Sequence, residues 1–191
     1  MTSYVYISED FGSIRAPLKN ELVFLYDQMN FNDYSDHNRT YVRTFISLVE
    51  GTINYVKLYL LQAYAQREIE LEFNERIILE GKTYSLNSKG KPREQILFFP
   101  FEPNFKFTYG LFAEKYNRSD VYQEYISRSG FLRMQTILEV RNRVTHPKKA
   151  DDVFVSGAEA TFAFEAYKWH EEFQLELFKD FLYKQNSLPP T

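Results

Sequence analysis

The sequence predicts an all-α helical bundle of about five to seven helices, and three observations carry that prediction. Apolar residues recur at spacings of three and four through two long stretches, Val42 to Leu60 and Phe162 to Phe181. That is the period of a helix burying one stripe. Helix-start and helix-stop residues punctuate the chain: Pro17, Gly81, Pro147 and the box Ser156-Gly157-Ala158-Glu159. The chain of 191 residues is 18% aromatic, with 15 Tyr and 18 Phe. It can therefore fill a core, and disorder is excluded over most of its length.

Residues 1–16 carry mixed side chains and are expected to form an irregular arm. Pro17 suits a first helical turn, and Leu18, Leu22, Leu25 and Met29 follow at helical spacing. This helix is expected to end near Asn30, before a polar turn at Asn32 to Asn38. The second helix places Val42, Phe45, Ile46, Val49, Ile53, Val56 and Leu60 on one stripe. Asp36 or Asn38 is its expected cap. Arg39, Arg43, Glu50 and Lys57 are assigned to its wet side. A short helix follows from Asn74 and stops at Gly81. The segment 82–100 is the least helical. Thr83-Tyr84 and Ile96 to Phe99 flank the turn Ser85 to Pro92, so a small hairpin closed by Pro100 and Pro103 is expected. Phe105, Tyr109, Phe112 and Tyr116 form an aromatic stripe assigned to the core. Asp120 caps a short turn, and Gly130 precedes a helix from about Phe131 to Thr145. The last long helix buries Phe162, Ala166, Trp169, Phe173, Leu177 and Phe181. No linker divides the chain. It reads as one domain over 1–191, with an arm and helix at 1–35, the bundle core at 36–184 and a frayed tail at 185–191.

Several chemistries are excluded at the outset. There are no cysteines, hence no disulfide scaffold and no thiolate-held zinc, which suits a reducing cytoplasm. No signal peptide and no membrane-length apolar run is seen. The three histidines, His37, His146 and His170, show no metal-ligand spacing. His37 and His170 are assigned structural roles. No Gly-rich phosphate loop or nucleophile elbow occurs, so no metal or cofactor is expected. Glu171-Glu172 and Asp151-Asp152 are read as solvated or helix-capping.

One stretch stands apart: Arg141-Asn142-Arg143-Val144-Thr145-His146-Pro147. With Met134 at zero and 100° per residue, Ile137 falls at about 300°, Leu138 at about 40° and Arg141 at about 340°. A permanent guanidinium is thus aimed into an apolar arc, where charge is rarely buried without a partner. Pro147 disfavours helix at the residue before it, so the helix ends near Thr145 and His146 is free of it. Around this stretch the charge is uneven. Arg128, Arg133, Arg141, Arg143, Lys148 and Lys149 face Glu139 alone between residues 126 and 150, although the whole chain carries −3. Such a local field attracts phosphate. An ordinary solvated helix face is the alternative source of the same charge pattern.

Arg141-Asn142 followed by His146, at the end of an amphipathic helix in an all-α chain, resembles the motif of the HEPN superfamily, the higher-eukaryote and prokaryote nucleotide-binding domains. The resemblance spans roughly Asp36 to Tyr183, and the six-residue motif is its specific part. It implies a bundle that cleaves RNA without metal, with two motifs meeting across the two-fold of a homodimer. Arg141, Asn142 and His146 would be catalytic. Arg128, Arg133, Arg143, Lys148 and Lys149 would hold RNA. It also implies a toxin or defence role and a neutralising antitoxin partner. Family toxins silenced by a nucleotidyltransferase carry a Tyr two residues after the His, where this chain has Lys148. The residues suit the chemistry in their own right. A 2′-hydroxyl nucleophile needs a base near pH 7, which His provides. Charge growing on phosphate oxygens needs a fixed cation, which Arg provides. Two alternatives stand beside this reading. The domain binds RNA or protein without cutting, or Arg141 is a structural partner of Glu50 or Glu139 and His146 only ends a helix.

Overall fold

Residues 3–31 and 35–179 are described in the computed structural model, with side chains from residue 15 onward. Among them are seven α-helices and one two-stranded antiparallel hairpin, the predicted all-α bundle with its small insertion. The helices are α1 (Ser3–Gln28), α2 (Asp36–Ala65), α3 (Phe73–Glu80), α4 (Phe101–Lys115), α5 (Ser119–Ile126), α6 (Ser129–Thr145) and α7 (Gly157–Leu177). The strands are β1 (Lys82–Leu86) and β2 (Pro92–Ile96), in register Lys82 to Ile96 and Leu86 to Pro92.

Helix α2 is the axis of the bundle. Its whole expected stripe, Val42 to Leu60, is buried, and so are Tyr41, Leu48, Tyr59 and Ala63. A helix covered on so many sides must be surrounded, and α1, α3, α4, α6 and α7 all pack on it. Its cap differs from expectation. Ser35 Oγ accepts the Asn38 N–H at 3.2 Å. Asn38 is itself fully buried, its amide donating to the Asn30 carbonyl at 2.9 Å. It ties the start of α2 to the end of α1.

The expected irregular arm is instead helical, and α1 runs through Pro17. Proline removes one intrahelical hydrogen bond and ordinarily breaks a helix. Here tertiary contacts straddle it. Arg15 donates to Glu171 at 2.8 Å and to Gln174 at 3.1 Å, and Lys19 pairs with the same Glu171 carboxylate. Leu22 and Leu25 are buried as their spacing predicts. The expected frayed tail at 185–191 and the core position Phe181 lie outside the described residues.

The aromatic stripe of α4 is core. Phe105 and Tyr109 are fully buried, Phe105 stacking near Trp169 and Phe173. Helix α4 starts earlier than expected. Pro103 sits inside its first turn, where a missing N–H costs nothing. Asp120 lies within α5 rather than capping it. On α7 the box forms as read, Ser156 Oγ accepting the Glu159 N–H. Phe162, however, is exposed, and Ala160 and Ala163 take the core positions. No helix among the described residues is long and apolar enough to cross a membrane.

Candidate functional site

Helix α6 is held by α7 near both of its ends. Near its start Gly130 lies against Trp169, so closely that a Cβ there would overlap the indole. Near its end Arg143 reaches the first turn of α7, pairing with Glu159 at 3.0 Å and donating to the Phe154 carbonyl at 2.8 Å. Phe131, Met134, Ile137, Val140 and Val144 are buried between these anchors. The helix stops at Thr145, and His146 takes φ −126° and ψ 59°, outside helical geometry, its N–H still donating to the Asn142 carbonyl at 3.0 Å. Its imidazole is exposed.

Arg141 points towards α2. Its guanidinium donates to both carboxylate oxygens of Glu50, at 3.2 and 3.4 Å, and to the Asn142 side-chain oxygen at 3.1 Å. The cation aimed at the apolar arc therefore has the partner its position demanded. Five guanidinium N–H donors exceed what these two partners absorb.

Arg141 and Asn142 line a cleft of about 860 Å³. One wall is α2, with Glu50, Ile53, Asn54 and Lys57. The opposite wall is the end of β2 and the start of α4, residues 96–104. His146 is not among the lining residues. Within one chain the fold thus joins Arg141 to Asn142 and leaves His146 on the open surface beyond the helix end.

The expected RNA-holding cations divide. Arg128 pairs with Glu124 and lies 3.9 Å from the Tyr125 ring centroid. Arg133 pairs with Glu165 at 2.8 Å, and Arg143 is bound to α7 as described. Lys148 and Lys149 have exposed side chains without an ion-pair partner among the described residues. Their backbone N–H groups donate to the Asp152 carboxylate, which those bonds hold below the usual carboxylate range. Asp152 is a loop-capping residue, and Glu171 is the anchor of Arg15 and Lys19.

Lys57 is expected on the wet side of α2. It is buried instead, with 8% of its surface exposed, its ammonium 5.1 Å from the Phe99 ring centroid. Burial holds its pKa below the ordinary lysine value. The signal was available: Lys57 follows Ile53 by four residues and precedes Leu60 by three, so it falls on the core face.

His170 is fully buried beside Phe45, and its Nε2 accepts a hydrogen bond from the Gln174 amide at 2.9 Å. Burial, with the nearby Arg15 and Lys19 charges, lowers its pKa to about 3. It is a neutral core histidine. Among the described residues no group of three or more His, Asp or Glu side chains is placed to hold a metal ion. Compared with family models, with curated proteins and with solved structures, the chain gives no match.

Proposed function

We propose that the chain is a metal-independent endoribonuclease of HEPN type, acting as a homodimer. The observation that carries this reading is the form of the α6 terminus. His146 is released onto the surface at the helix end, while Arg141 and Asn142, about one turn back, border an open cleft. In the proposed reaction His146 takes the proton of a ribose 2′-hydroxyl, whose oxygen attacks the adjacent phosphorus; the P–O5′ bond breaks, and the leaving 5′-oxygen takes a proton from the histidine of the second copy. Arg141 meets the charge growing on the phosphate oxygens, and Asn142 fixes the guanidinium from the side. A single Arg–His pair leaves few groups for both base and acid work. A second copy, docked through the motif helix, supplies the missing His. Lys148 and Lys149 add unspecific attraction for the strand.

A second reading is favoured by the ion pairs. Arg141 is engaged by Glu50, and Arg128, Arg133 and Arg143 each have an acidic partner. That pattern suits a module that binds RNA or protein without cutting. Incubation with a mixed RNA pool, with and without chelator, separates the two. Cleavage indifferent to chelator, leaving 2′,3′-cyclic phosphate or 3′-phosphate ends, is expected for the nuclease. DNA resists, having no 2′-hydroxyl. Intact RNA that co-sediments with the protein decides for the module. A toxin or defence role, with a neutralising protein partner, belongs to the nuclease reading.

A further inference from the structure

The cleft beside Arg141 holds a charge that the fold leaves unanswered. Three carboxylates line it, and each is engaged: Glu50 by Arg141, Glu80 by Arg76 at 3.5 Å, and Glu102 by Lys106 at 2.6 Å. Lys57 is 8% exposed as a whole residue, and its ammonium, at the cleft wall, has neither an ion pair nor a hydrogen bond among the described residues. A lysine so placed is normally paired. The ring of Phe99, its centroid 5.1 Å away, faces it. A second unsatisfied group lines the same cleft. The Asn104 side-chain oxygen is buried without a donor. A third feature is Phe98, 92% exposed at the rim. One ligand would answer all three if it carried an anion, a donor group and a flat apolar face.

We propose that this cleft is a subsite for one ribonucleotide unit, its phosphate paired with Lys57, a nucleoside N–H or O–H donated to Asn104, and its base stacked on Phe98. The inference rests on the RNA reading only for the source of the phosphate, a strand rather than a free nucleotide. The subsite lies beside the Arg141–Asn142 edge, so it takes a nucleotide near the one being cut. Stacking on an exposed ring tolerates every base, and every nucleobase presents an N–H, so the Asn104 acceptor orients the nucleoside without choosing among bases. The wall formed by residues 96–104 makes the pocket, which gives the hairpin insertion a purpose: it positions that wall against α2.

The test is equilibrium binding of two probes, adenosine 5′-monophosphate and a 2′-O-methylated hexaribonucleotide that cannot be cleaved. Wild type, Lys57→Met and Phe98→Ala are compared, with melting temperature as the folding control. Methionine removes a partly desolvated charge that has no partner among the described residues, so Lys57→Met should melt at or above the wild-type temperature. Loss of a charge-assisted phosphate contact is expected to weaken hexamer binding by about tenfold or more. Loss of the stacking ring should weaken it by about fivefold or more. Hexamer binding far tighter than the mononucleotide identifies a strand as the source, and equal binding per phosphate identifies the free nucleotide. A folded Lys57→Met protein that binds both probes as wild type does, or a wild type that binds neither at millimolar concentration, overturns the proposal. RNA cleavage measured on the same proteins keeps the two readings apart. Cleavage with unchanged Lys57→Met binding sinks the subsite alone, and Lys57-dependent binding without cleavage sinks the nuclease alone.

Discussion

Arg141 meets Glu50 at the edge of a cleft, both side chains partly exposed, and that exposure sets the energetics. Ion pairs in contact with water contribute about 1 kcal/mol or less. Arg141→Ala should therefore fold, with a melting temperature within about 4 °C of wild type for a chain of this size. Circular dichroism thermal scans measure this. A collapse of the fold would make Arg141 a structural residue and remove it from the site. The guanidinium was legible in the sequence as a cation on an apolar arc, because helical period alone fixes its direction. That Glu50 rather than Glu139 receives it was open, because the choice depends on how α2 and α6 cross. Lys57 was misassigned through its chemistry. Its position on the wheel pointed inward, and charge was allowed to outweigh period.

His170 gives a residue-scale test of the core. Its folded pKa, about 3, lies below the ordinary 6.5. Between those values the unfolded chain binds a proton that the folded chain refuses. The stability from this group is complete above pH 6.5 and is lost as pH falls towards 3, at about 1.4 kcal/mol per pH unit. Urea midpoints should fall by an amount equivalent to roughly 2 kcal/mol from pH 6.5 to pH 5. The loss should flatten in His170→Gln. A midpoint constant over that window would place a charged or solvated imidazole at this position.

At the scale of elements, the pairing of α6 with α7 orients the motif. Gly130 lies close against Trp169, which is boxed by Phe105, Phe131 and Phe173. Gly130→Ala cannot keep that spacing. Overpacking of this kind costs about 1–3 kcal/mol, and the emission of the single tryptophan should shift. Emission and stability equal to wild type would mean that the helices sit farther apart. Helix α6 itself was legible to its last residue, because Pro147 forces the stop. Helix α1 was not, because the contacts that flank Pro17 reach Glu171, more than 150 residues away in sequence. Phe162 was misread for a related reason. Period places it near the stripe of α7, while the neighbours that cover α7 leave that side open.

For the whole molecule, the proposed chemistry needs two copies. One chain presents Arg141 and Asn142 to the cleft and holds His146 outside it. A complete site then requires a partner's histidine. Sedimentation at tens of micromolar, roughly the range where weak dimers form, should show a dimer. A monomer throughout that range would leave each Arg–His pair alone and favour the binding module. The fold class and the motif's place in it were readable from period and punctuation.

If the end of α6 cuts RNA as proposed, cleavage by His146→Ala beside wild type shows it. The exposed imidazole has no side-chain partner among the described residues, so its removal should leave melting temperature and association state unchanged. Wild type should cleave an RNA pool equally with and without chelator, and His146→Ala should be slower by about 10²- to 10⁴-fold. A folded His146→Ala protein that cuts at the wild-type rate would contradict the assignment.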